Sequence, residues 1–180
     1  TFANFFNKGV SFLLLFYFTR VLTQADFGML NLFSNSIIFL MPFISMGVLH
    51  SVNAEFFRKE KKEFHDFFTT TFIIPMAMML LAILAMYLLR GQLKEQYHFP
   101  FVLIILVPVI TFFNFVYEQL INMVRNNQEP TKYLAVNIGK LFIEIILAIF
   151  FISVLGFNWL GRVAGITIAY GITCLYAWRY

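Results

Sequence analysis

The chain holds a single cysteine, Cys174. One thiol builds neither a disulfide framework nor a zinc site. Histidine is almost as scarce. His50, His65 and His98 lie far apart and near segment ends, where they read as interfacial or loop residues rather than proton relays. Charged residues make up only 12% of the chain, about half the usual share in soluble domains. No Ser-His-Asp arrangement, metal-ligand cluster or Gly-rich phosphate loop after a strand is visible. Nothing therefore points to an enzyme, and neither a cofactor nor a metal is expected. A basic leader followed by a small-residue cleavage site is missing too, so no signal peptide is expected. The sequence begins at Thr1 already inside an apolar segment and stops at Tyr180 just after another, and both ends read as cut from something longer.

What the chain does have is apolar length. Its hydrophobic fraction is 61%, its mean hydropathy is +0.80, and Phe occurs 25 times. A helix that is hydrophobic all round belongs in a large core or in lipid. No amphipathic partner layer is present to make such a core, so lipid is the expected solvent. Aromatics this dense also suit helix packing better than a strand meander. The fold class expected is all-α, an integral membrane bundle of six transmembrane helices over residues 1–180. Their expected spans are Phe2–Leu22, Met29–Phe57, Phe67–Leu89, Phe99–Val124, Lys132–Leu155 and Trp159–Trp178. Each reaches the ~20 residues that cross a ~30 Å hydrocarbon layer, and the second exceeds it, so it should tilt or extend past the interface.

The joints carry polar punctuation. In LTQADFG (Leu22–Gly28), Thr and Asp precede a helix start, while RGQLKEQYHFP (Arg90–Pro100) and RNNQEPTK (Arg125–Lys132) place Pro near the next one. Pro42, Pro75 and Pro108 fall inside the expected helices, as static bends or as hinges.

Basic residues cluster in RKEKKE, at Arg58, Lys59, Lys61 and Lys62. Nothing else is basic and exposed, so this reads as a cytoplasmic loop under the positive-inside rule and not as a nucleic-acid patch. With the amino end inside, the inner joints hold Arg58, Lys59, Lys61, Lys62, Arg125, Lys132 and Arg179. The outer joints then hold Arg20, Arg90, Lys94 and Arg162. That balance places the amino end in the cytoplasm.

Four ionisable residues lie well inside apolar segments: Lys8, Glu118, Lys140 and Glu144. Each costs on the order of 3 kcal/mol to place in hydrocarbon, so each should face a bundle interior or a wet cavity. Neighbouring polar residues repeat at helical spacing. The stripes are Asn4, Asn7, Lys8 and Ser11; Asn31, Ser34, Asn35 and Ser45; Asn114, Glu118 and Asn122; and Asn137, Lys140 and Glu144. Glu118 and Lys140 sit at similar depth on antiparallel helices, roughly 10–12 Å below one surface at 1.5 Å per residue. They can pair, and Lys140 can also pair with Glu144 along its own helix. Such pairing would lock the fourth helix to the fifth; alternatively these groups border a wet cavity. Lys8 has no carboxylate near it in sequence and is the better candidate for a phosphate contact. Gly161, Gly165 and Ala169 form a small-xxx-small pattern, which reads as close helix packing.

These residues also resemble a known family. Asn7-Lys8-Gly9 in the first helix, TRVLTQADFG (Thr19–Gly28), the SMGV step (Ser45–Val48), RNNQEPTKY (Arg125–Tyr133) and WLGRVAGITIA (Trp159–Ala169) occur in the order seen in polysaccharide and O-antigen flippases. These belong to the multidrug/oligosaccharidyl-lipid/polysaccharide exporter superfamily. The resemblance implies two homologous lobes around a central cavity and alternating access, with a lipid-linked oligosaccharide pyrophosphate as cargo. This chain would be the amino-terminal lobe. Its partners would be the absent carboxy-terminal lobe, membrane lipids, glycan polymerase and glycosyltransferases, in a bacterial or archaeal cytoplasmic (inner) membrane. On this reading Lys8, Arg20, Arg58, Arg125 and Lys140 would hold the anionic head group. Glu118 and Glu144 would bind a coupling proton or sodium. Asn4, Asn7, Asn35, Asn114, Asn122 and Asn137 would line the cavity. Arg20 and Arg58 stand near segment ends, where snorkelling to the interface is the ordinary behaviour. Two alternatives stay open: a cation-coupled multidrug exporter of the same superfamily, and a non-transporting scaffold for glycan assembly.

Overall fold

The computed structural model of the protein describes residues 9, 12, 14 and 16–179. Among them every regular element is an α-helix and no strand occurs. Helix α1 is described at 16–21, followed by α2 (Gln24–Ser45), α3 (Val48–Phe56), α4 (Lys61–Thr70) and α5 (Ile73–Leu88). Then come α6 (Arg90–Tyr97), α7 (Phe101–Asn126), α8 (Pro130–Ser153) and α9 (Trp159–Arg179).

Helix starts follow local chemistry. At α2 the Thr23 hydroxyl donates to the Asp26 carboxylate at 2.6 Å and accepts from the Asp26 N–H at 3.2 Å. The Thr23 N–H donates back to the same carboxylate at 3.2 Å, so the pair forms a reciprocal cap. Helix α8 opens on Pro130, whose missing N–H is harmless in a first turn.

Two expected helices are broken. The second was expected to run unbroken over 29–57. The backbone instead turns left-handed at Met46 (φ 45°) and Gly47 (φ 76°), separating α2 from α3. Gly adopts this conformation freely, and Pro42 lacks the N–H that would donate to an earlier carbonyl. The third divides at Thr71–Phe72 into α4 and α5. Pro75 is then the third residue of α5, in a first turn where its absent N–H has no intrahelical partner to lose. The joint after α5 winds into α6, which ends on a left-handed His98 (φ 51°) just before Pro100.

Four stretches are long and apolar enough to cross a bilayer: Gln24–Ser45, Asp66–Leu88, Phe101–Asn126 and Pro130–Ser153. Of the other two expected crossings, Phe2–Leu22 lies mostly outside the described residues, and Trp159–Trp178 corresponds to α9, 21 residues long. Large apolar side chains such as Ile38, Phe39, Leu80, Leu88, Ile146 and Leu175 are exposed, as lipid contact requires.

The chain forms two compact units, one of residues 1–34 with 127–180 and one of residues 35–126. In the first, Leu14, Phe18, Ala148 and Ile152 form the core, with Tyr17, Leu22, Phe27 and Ile145 against it. The Tyr17 hydroxyl meets Ser153 Oγ at 2.6 Å, fastening α1 to the end of α8. The second unit packs Val48, Val52, Phe64 and Phe115 together. Its rings stand edge to face: Phe56 on Phe64 (5.2 Å), Phe68 on Phe72 (5.1 Å) and Phe72 on Phe115 (5.9 Å). The Asn126 amide donates to Asn53 Oδ1 at 3.0 Å and ties α7 to α3.

Candidate functional site

Helix α8 carries Lys140 and Glu144 one turn apart, on one face. Lys140 Nζ lies 3.4 Å from Glu144 Oε2, so the pairing along the helix forms. The other carboxylate oxygen, Glu144 Oε1, meets Arg162 Nη2 at 2.6 Å. The side chains are 14% (Lys140), 9% (Glu144) and 17% (Arg162) exposed. Aromatic rings back both cations: Lys140 Nζ stands 3.9 Å from the Tyr170 ring centroid, and the Arg162 guanidinium 5.1 Å from that of Phe18.

Arg162 reaches Glu144 because α8 and α9 nearly touch. A Cβ on Gly161 would lie 2.9 Å from Ile152 Cγ1, and one on Gly165 would lie 2.9 Å from the Ala148 backbone nitrogen. The small-residue seam is thus an interhelical contact, with Ala169 also fully buried.

Two cations, Lys140 and Arg162, thus meet at the Glu144 carboxylate. Arg162 Nη1 is buried without a hydrogen-bond partner. A guanidinium offers a fork of donors that a carboxylate or phosphate can grip at two points, and here the carboxylate grips it through one nitrogen. The arrangement can bind or exchange an anion. It contains no nucleophile poised beside a base, and no group of three metal-binding side chains occurs among the described residues.

Arg162 was expected in an outer joint; it is instead a partner of Glu144, because α9 begins at Trp159 and carries Arg162 in its first turn. The one signal available in the sequence was its position beside Gly161 and Gly165, on the seam itself. A second residue the sequence reading passed over is Gln119 in α7, 0% exposed, with neither amide atom hydrogen-bonded.

Arg20 is exposed over the Phe16 ring at 4.2 Å. Arg58 is exposed and pairs with Glu55 at 3.3 Å, while Lys59 approaches the same carboxylate at 3.8 Å. Arg125 donates to Asn122 Oδ1 at 2.5 Å in the last turn of α7. Asn137 is buried and donates to the Tyr133 carbonyl at 2.9 Å, which satisfies it within its own helix. Asn114 and Glu118 are half-buried on α7 and Asn35 is exposed on α2. Lys8, Asn4, Asn7 and Ser11 lie outside the described residues.

Four apolar helices of spanning length, one of them carrying Lys140 and Glu144, mark a polytopic α-helical membrane protein. The comparison with known families narrows that class. Residues 1–180 match the family described as polysaccharide biosynthesis protein, and the chain belongs to that family. No curated protein and no solved structure matched it.

Proposed function

We propose that the protein moves a lipid-linked oligosaccharide pyrophosphate across the cytoplasmic membrane, by alternating access, for polysaccharide or O-antigen assembly. The observation that carries this reading is the pair of cations, Lys140 and Arg162, that meet at Glu144 between apolar helices in a polysaccharide biosynthesis protein. A negatively charged head group needs such a surface, and its lipid tail needs none of it. Lys8 and Lys140 are the main head-group contacts in this scheme. Arg20, Arg58 and Arg125 serve at the interface, where all three are exposed. Glu118 and Glu144 take the coupling proton or sodium. The amino end faces the cytoplasm; removing Arg162 from the outer joints widens the charge bias that supports this orientation.

The test is flipping of a fluorescent lipid-linked oligosaccharide by the full-length protein in proteoliposomes. Lys8→Ala is expected to abolish it, and full flipping by that variant would overturn the head-group role of Lys8. A cation-coupled drug exporter would instead favour acidic walls, whereas two cations, Lys140 and Arg162, meet at Glu144 here.

The scaffold reading predicts dry helix contacts. Cysteines placed one at a time at Asn114, Glu118 and Asn137, with Cys174 replaced by Ser, are expected to react with a membrane-impermeant thiol reagent. Three unreactive positions would favour the scaffold.

A further inference from the structure

We propose that the α3–α4 hairpin, residues 48–70, is a hinged flap that swings off α7, and that the buried Gln119 amide keeps its closed form only marginally stable. The motion is local to the unit of residues 35–126 and does not depend on what the protein carries.

A flap needs two joints. The chain enters the hairpin through Met46 and Gly47, both left-handed, and α3 starts after Gly47 without a side-chain cap. Met46 has a Cβ, so its φ of 45° costs energy that a change of angle at the joint releases. The chain leaves through Thr71 and Phe72, where α5 also starts without a side-chain cap. Most of the hairpin lies between the spanning stretches Gln24–Ser45 and Asp66–Leu88, outside the apolar layer that would hold it still. Both joints fall beside the same turn of α7. Val48, the first residue of α3, clusters with Phe115, and the Phe72 ring stands 5.9 Å from that of Phe115. Between the joints the hairpin is one piece, held by the Phe56–Phe64 and Phe64–Phe68 ring contacts at 5.2 and 6.0 Å.

The face on which the hairpin closes has a polar residue at its centre. Phe115, Val116 and Met123 of α7 belong to the apolar cluster that holds Val48, Val52 and Phe64. Gln119 stands three or four residues from each of those three α7 side chains, so helical spacing puts it among them. It is 0% exposed, and neither its Nε2 nor its Oε1 has a hydrogen-bond partner. An amide buried without a partner is costly. The cost falls on the closed form alone, because water reaches both atoms once the hairpin swings away. Against it stand the ring contacts and the Asn126–Asn53 hydrogen bond, which ties the last turn of α7 to α3. A region that carries such a cost opens locally at lower free energy than its surroundings.

The experiment measures how fast a water-soluble maleimide labels Val52→Cys in the full-length protein in nanodiscs, with Cys174 replaced by Ser. Val52 is 0% exposed, so its replacement thiol reacts only when the hairpin opens. At low reagent concentration the rate follows the population of the open form. Gln119→Leu, which removes the amide and keeps an apolar side chain in its place, is expected to slow labelling about tenfold. Gln119→Met should also slow it, so the result does not hang on how one replacement packs. Asn126→Ala removes the tie to Asn53 and is expected to speed labelling about fivefold. Val163→Cys, on α9 in the other unit, where Val163 is 1% exposed, is the control and should respond to none of these changes. The proposal is overturned if both Gln119 variants label as fast as their parent or faster, the result expected of an amide satisfied by buried water. It is overturned equally if Asn126→Ala leaves the rate unchanged, or if Val163→Cys slows in step with Val52→Cys, the mark of a global change in stability.

Discussion

Glu144→Ala is expected to destabilise the protein by about 3–5 kcal/mol, the usual result of stripping one member from a buried ionic group. Glu144 is the common partner of Lys140 and Arg162, so its loss strips the largely buried Arg162 guanidinium of the carboxylate it meets in the α8–α9 seam. Neutral polar contacts between membrane helices average only about 0.6 kcal/mol, because their loss leaves no bare charge. The size of the effect therefore distinguishes a charged cluster from an ordinary polar one. Replacing all three residues with Leu or Met is expected to restore stability to near wild type, since charge and counter-charge leave together. Thermal unfolding of the purified protein in detergent measures both. A Glu144→Ala protein that melts with wild type would show that the three side chains do not act as a unit.

Gly165→Ala is expected to lower stability by about 1–3 kcal/mol, the range for overpacking a filled contact. The new Cβ would meet the Ala148 backbone nitrogen at 2.9 Å and its Cα at 3.2 Å, and a backbone cannot swing aside as a side chain can. Glu144 O also lies 3.2 Å away, so the change pushes α9 off the turn that carries the ionic cluster. Gly171 supplies the control. It lies in the same helix with nothing within 4 Å of its added Cβ. Gly171→Ala should be neutral or gain about 0.5–1 kcal/mol from the better helix former. The same unfolding assay decides it: equal responses at the two glycines would show that the seam is not tightly closed.

Much of this architecture was written in simple periodicities. Long apolar runs announced spanning helices, because lipid demands length and uniformity and little else. The four-residue step of Gly161, Gly165 and Ala169 announced the seam, and the step from Lys140 to Glu144 announced an intrahelical pair. The break at Met46–Gly47 was not legible in the same way. Apolar residues continue straight through it, and a left-handed turn is a backbone choice that hydropathy does not record. Arg162 was hidden for a different reason. It sits at the edge of a run, where a cation is usually a solvated interface residue, and its partner lies 18 positions earlier. Only the closeness of α8 to α9 turns that edge position into an interior one. Gln119 was masked by its neighbour Glu118, whose charge drew the reading to the adjacent face.

The ion pairs of this protein differ sharply in their access to water. Arg58–Glu55 and Lys132–Glu129 have side chains open enough for dissolved ions to reach them, whereas Glu144 and its two cations are mostly shut away. Mobile electrolyte weakens attraction only where it can come close. Concentrated potassium chloride will therefore loosen the loops while leaving α8 fastened to α9, and ionic strength becomes a dial that acts on the periphery alone.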